Sequence, residues 1–86
     1  MTPQERFAAN LRRARTAAGV SQEELGYLCD LHRTEVSLLE RAEREPRLAT
    51  MVKLAGALGT TVDELCEGVS WAVKAHRFEV KRPPTA

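Results

Sequence analysis

Between residues 33 and 47 the chain carries four arginines, Arg33, Arg41, Arg44 and Arg47, together with Thr34, Ser37 and Leu38. A guanidinium is a planar fork of N–H donors suited to paired oxygen acceptors, a hydroxyl both donates and accepts, and a leucine offers only apolar contact. At the helical step of about 100° per residue, Thr34, Leu38 and Arg41 fall on one flank while Val36, Leu39 and Glu40 fall on the other. One flank is patterned to pack and the other to meet a partner. The remaining reactive residues assemble nothing comparable. Cys29 and His32 have a C-x-x-H spacing, but both Cys29 and Cys66 continue apolar stripes, so free packed thiols are expected and no metal site. Ser21, Ser37 and Ser70 have no assembled base and orienting acid, and no glycine-rich phosphate loop is present, so neither catalysis nor a cofactor is expected.

Several helices must position that run. Phe7, Leu11, Ala14 and Ala18 recur at spacings of four, three and four, which predicts a helix from Thr2 to Ala18 with a capping box at Thr2-Pro3-Gln4-Glu5 and a stop at Gly19. Ser21-Gln22-Glu23-Glu24 repeats the capping pattern ahead of Leu25, Leu28 and Cys29, predicting a two-turn second helix that Asp30 ends in a tight turn. The third helix is expected over about residues 33–42. Leu48, Met51, Val52, Leu54, Ala55 and Leu58 predict an apolar fourth helix ended by Gly59 and placed at the centre of the bundle. Thr61-Val62-Asp63-Glu64 is a further capping box, opening a fifth helix of about one and a half turns that Gly68 terminates.

After Gly68 the pattern changes period. Trp71 and Val73 alternate on one phase, Phe78 and Val80 on the other, predicting two short strands and a turn. A lone two-stranded hairpin is marginal in water, so its apolar face should pack on the helices or on a second copy of the chain. Lys81 to Ala86 reads as a frayed basic end. The expected division is a five-helix unit over residues 1–68 and an appendage over residues 69–86.

The 86 residues have a net charge of only +1, 43% apolar content and 29% charged content, the composition of one small domain and not of a disordered tail. Charge is local: residues 1 to 20 sum to +3, residues 21 to 31 to −3, and residues 70 to 86 to +3. The longest apolar runs are far below the ~20 residues that cross a bilayer, and Met1-Thr2-Pro3-Gln4 opens no secretory signal, so the expected location is cytoplasmic with no membrane partner.

A short helix, a tight turn and a second helix with a free polar face make a helix-turn-helix, in which the second helix lies in the DNA major groove. The blocks Ser21-Gln22-Glu23-Glu24-Leu25, Leu31-His32-Arg33-Thr34-Glu35-Val36-Ser37-Leu38-Leu39-Glu40-Arg41, Pro46, and Leu54-Ala55-Gly56-Ala57-Leu58-Gly59 resemble the phage repressor and Cro-type helix-turn-helix family, also called the xenobiotic-response-element family. The resemblance spans roughly residues 6 to 66. It implies an all-α fold, a compact five-helix lambda-repressor-like domain, here followed by the short hairpin, that binds a double-stranded operator as a homodimer and regulates transcription, as a repressor more than an activator. It makes Gln22 a phosphate or base-edge contact and Arg33, Thr34 and Leu38 the principal base readers, with Ser37 and Arg41 beside them. Arg41, Arg44 and Arg47 become phosphate or minor-groove contacts, and His32 a helix-start residue near phosphate.

In this pattern Arg33 offers two donors to guanine O6 and N7, and Leu38 favours a thymine methyl. The resemblance also pairs Glu40 with Arg15 as a structural ion pair. Glu35 either closes the first turn of the third helix or accepts from cytosine N4. Family members often carry alanine at the position of Gly26, glycine at that of Asp30 and glycine at that of Ala42, and these departures touch local geometry rather than contacts. Two alternatives stand beside this reading. One is an antitoxin-like regulator that binds both DNA and a toxin, the latter a protein partner held through residues 69–86. The other is an interaction module without DNA, since Glu35, Glu40, Glu43 and Glu45 cancel the four arginines. Trp71, Val73, Phe78 and Val80 are expected to pack, either within the chain or as the dimer surface.

Overall fold

A computed structural model describes residues 1–84 as five helices followed by a β-hairpin. The helices are α1 (Pro3–Ala18), α2 (Gln22–Cys29), α3 (Arg33–Glu40), α4 (Leu48–Leu58) and α5 (Val62–Leu65), and the strands are β1 (Val69–Ala72) and β2 (Arg77–Val80). Both halves of the capping box form at Thr2–Glu5 and at Ser21–Glu24. At α5 only one half forms: Thr61 accepts from the Glu64 amide, while the Glu64 carboxylate takes the Thr60 hydroxyl at 2.6 Å.

Helices α1 to α4 all leave by the same paired exit, in which the amides of two successive residues return to carbonyls within the last turn. The left-handed position is occupied by Gly19, Asp30, Ala42 and Gly59 in turn. Ala42 adopts φ 59°, a conformation that costs an alanine of order 1 kcal/mol and directs the chain back along α3. In α2, Gly26 makes room for the next turn: a Cβ there would stand 2.6 Å from the Leu31 carbonyl oxygen, a backbone atom with no freedom to withdraw. Alanine is therefore unsuited to this position, because α2 and the turn into α3 approach too closely.

The core joins all five helices through Phe7, Leu11, Leu25, Cys29, Val36, Leu39, Leu54, Ala55 and Leu65. The fourth helix is less central than its composition predicts. Leu54 and Ala55 are buried, whereas Leu48 is 73% and Val52 56% exposed. Apolar residues occur around more of α4 than its neighbours can cover, so one flank packs and another stays open.

The hairpin pairs β1 and β2 antiparallel, with Trp71 opposite Phe78 and Val69 opposite Val80. The two aromatic rings meet edge to face at 5.0 Å. Val73 lies in the connecting turn and not in a strand. The hairpin is held by a buried cation that the helical pattern does not single out. Arg6 of α1 donates to the carbonyls of Glu67 at 3.0 Å and Lys81 at 2.7 Å and to Asn10 Oδ1 at 3.1 Å. Lys81 also donates its amide to the Gly68 carbonyl at 2.8 Å. The expected frayed end therefore starts later than Lys81; Thr85 and Ala86 lie outside the described residues.

Candidate nucleic-acid interface

Helix α3 has two sharply different sides. Val36, Leu39 and Glu40 are buried, while Arg33, Thr34 and Arg41 are exposed and Ser37 and Leu38 are half-buried between them. The helix starts at His32, whose Nδ1 accepts from the Thr34 amide at 3.1 Å and lies 3.0 Å from the Thr34 hydroxyl. An imidazole thus does the capping that a serine or aspartate usually does. Glu35 does not reach back to close this turn; its carboxylate instead accepts from Arg44 Nη1 at 2.6 Å.

The buried carboxylate of Glu40 fixes how α3 sits. Arg15 Nε donates to Oε2 at 2.6 Å and Nη2 to Oε1 at 3.0 Å, a two-point pairing across α1 and α3. The hydrogen bond to Glu40 raises the Arg15 pKa above its ordinary value. Gln22 Nε2 donates to the same Oε1 at 3.2 Å, and Arg15 Nη1 to the Val20 carbonyl at 3.0 Å. One acidic side chain therefore ties together the body of α1, the start of α2 and the end of α3. Gln22 is half-buried and held by this cluster, with its amide oxygen making no hydrogen bond among the described residues.

The four arginines divide into two pairs. Arg41 meets Glu43 at 2.9 Å and Arg44 meets Glu35 at 2.6 Å, whereas Arg33 and Arg47 are exposed and have no acidic partner among the described residues. The chain reversal at Ala42 brings Arg44 and Arg47 round to a hollow that they line with Asp30, His32 and Glu35. Sequence spacing misses the Glu35–Arg44 contact because a nine-residue separation has no meaning until the helix exit is known. Opposite charges on both sides of a left-handed residue are the one signal that points to it.

Two uncompensated arginines, Arg33 on the open side of α3 and Arg47 at the start of α4, are suited to anionic oxygens or base edges. Burial raises the thiol pKa of both Cys29 and Cys66, which suits packed, unreactive cysteines. No helix among the described residues is long and apolar enough to cross a membrane.

A family model described as Helix-turn-helix matches residues 11–65, more than half of the chain. This chain belongs to the helix-turn-helix family of DNA-binding transcription regulators. Among relatives of this helix-turn-helix chain, the control protein C.SmaI of Serratia marcescens is 42% identical over 65 residues, covering 76% of this chain and 77% of that protein. The crystal structure of the restriction-modification controller protein C.AhdI from Aeromonas hydrophila superimposes with a TM-score of 0.70 at 42% identity, over 72% of this chain and 94% of that one. The P22 c2 repressor, solved in complex with a synthetic operator, gives a TM-score of 0.68 at 27% identity, over 72% of this chain and 94% of that one. The five-helix arrangement is thus that of the phage repressors, with a hairpin added after α5.

Proposed function

We propose that this protein is a sequence-specific transcriptional regulator of the controller type, acting as a homodimer that lays α3 into the major groove of a two-fold operator, with repression as its principal output. The observation that carries this reading is the asymmetry of α3: one side is locked by Val36, Leu39 and the Glu40 ion pair, and the other presents Arg33 without an intramolecular partner. The likeness to C.SmaI and C.AhdI supports the controller role, and the P22 complex supports operator binding. In this reading residues 1–68 carry DNA recognition. Arg33, Thr34 and Leu38 read base edges, with Ser37 and Arg41 beside them. Gln22, His32 and Arg47 contact the sugar-phosphate backbone, where they set register and not sequence, and Arg44 lies on the same side, held by Glu35.

The experiment is selection of bound fragments from a random duplex pool, followed by Arg33→Ala on the winning site. A two-point guanine contact is worth ~1–3 kcal/mol, so the variant should bind the selected site roughly 5- to 150-fold more weakly and lose its preference at one base pair. An equal loss on every sequence would restrict Arg33 to phosphate.

Trp71, Val73, Phe78 and Val80 form the dimer surface in this proposal. Trp71 is 51% and Phe78 55% exposed, an aromatic pair with much of its area left open in the single chain. Val73 at the turn is exposed and Val80 on β2 half-buried beside them. Replacing Trp71 and Phe78 together by alanine is expected to lower the mass found by sedimentation from two chains to one at micromolar concentration. A variant that sediments as a dimer would move the joint elsewhere, for which the exposed flank of α4 at Leu48 and Val52 is the next place to look.

A further inference from the structure

The two acid-paired arginines differ in a way that bears on binding strength. Glu43 and Arg41 are neighbours at the helix exit and both side chains are more than half exposed, so a phosphate displaces that carboxylate easily. Glu35 is fixed differently. It occupies the third residue of α3, its side chain is only 25% exposed, and it moves wherever α3 moves. Its partner Arg44 arrives from the far side of the chain reversal at Ala42, and the 2.6 Å contact is a single charge-assisted bond to Nη1. Arg44 Nε and Nη2 make no other hydrogen bond among the described residues.

We propose that Glu35 is a restraint on DNA affinity: by holding Arg44 it withholds one phosphate contact, which lowers attraction to duplexes of every sequence without altering the choice among them. The inference rests on the placement of α3 proposed above. An arginine already neutralised by a carboxylate brings no net charge to a phosphate, so its approach releases no counterion. When α3 docks, Glu35 either keeps Arg44 from the backbone or is left facing the polyanion alone, and either outcome weakens the complex. Because backbone contacts carry no sequence information, correct and incorrect sites lose equally. Because both classes of site lose alike, the restraint lowers total occupancy of DNA and leaves the partition between operator and competing genomic DNA unchanged.

Of the four glutamates among four arginines in residues 32 to 47, three meet an arginine, and Glu45 meets none among the described residues. Glu40 is structural and Glu43 is displaceable. Glu35 is the one acid in the run that is both anchored to α3 and bonded to an arginine beyond it.

The test compares the wild type, E35Q, R44A and the double variant by fluorescence anisotropy on a random duplex and on the selected operator, over a range of salt concentrations. Glutamine keeps the shape of the side chain and removes the charge. E35Q is expected to bind the random duplex roughly five- to tenfold tighter near ~0.1 M salt, with a log–log salt slope steeper by ~1, the signature of one added phosphate contact. The gain should be equal on the operator and absent in the R44A background. An E35Q protein that binds like the wild type, or more weakly, overturns the restraint, as does a gain that persists without Arg44, which would make Glu35 a plain repelling charge. Failure of the wild type to show salt-dependent binding to any duplex would instead overturn the placement of α3, and this inference with it.

Discussion

Arg15→Ala is expected to destabilise the protein by about 3–5 kcal/mol, the usual consequence of stranding one member of a buried ion pair. The Glu40 side chain is 1% exposed and takes both of its short bonds from Arg15. Without that guanidinium it keeps only the Gln22 amide at 3.2 Å and a distant, largely exposed Arg12 at 3.9 Å. A small domain has about 5–15 kcal/mol in total, and each kcal/mol moves the midpoint of a chain this size by roughly 4–8 °C. Thermal melting should therefore fall by well over ten degrees. The pair itself is not the source of net stability. Arg15→Met combined with Glu40→Met removes both charges and fills similar volume, and should recover most of the loss. If the double variant is as unstable as the single one, the role of Arg15 lies in its bond to the Val20 carbonyl or in its packing, and the stranded charge is not the cause.

What the sequence reveals of this fold is what short spacing encodes. The boxes at Thr2–Glu5 and Ser21–Glu24 are legible because donor and acceptor lie three residues apart, although the same spacing at Thr61–Glu64 closes only half a box, the Glu64 carboxylate going to Thr60. The end of α2 at Asp30 is legible from residue type, since an aspartate tolerates the left-handed turn. Burial is less legible. Leu48 and Val52 share the apolar pattern of α4 with Leu54, and only the arrangement of the other helices decides which flank is covered. The packed flank of α3 is readable from Val36 and Leu39, and the family resemblance supplies Arg15 as the partner of Glu40. Neither source supplies Arg44 for Glu35, because that contact follows from the chain reversal at Ala42, which a residue other than glycine conceals.

Arg6 is the extreme case, since its backbone partners lie 61 and 75 residues further along the chain. Arg6→Ala is expected to cost about 2–4 kcal/mol, because bonds from a charged donor contribute ~1.5–3 kcal/mol and an acceptor left buried adds its own desolvation. The losses are unequal. The Glu67 carbonyl keeps its bond from Asn10 Nδ2 at 2.9 Å, while the Lys81 carbonyl loses the one side-chain donor that reaches it among the described residues. Truncation also empties the space under Gly68, where the guanidinium lies so close that a Cβ would stand 2.8 Å from Arg6 Cζ.

The effect should be concentrated in the hairpin. Two strands of four residues are marginal alone, so once the clasp to α1 is cut, amides of residues 69 to 81 should exchange faster than those of α1 to α4. On the proposed dimer surface, the variant should lose its partner chain before its helices melt, giving a monomeric species at temperatures where secondary structure persists. Arg6→Lys should restore little of this, since an ammonium lacks the planar fork that serves Asn10, Glu67 and Lys81 together. Hairpin amides as protected as in the wild type would mean that Phe78, which lines a groove with Phe7 and Met51, holds the strands to the helices without Arg6.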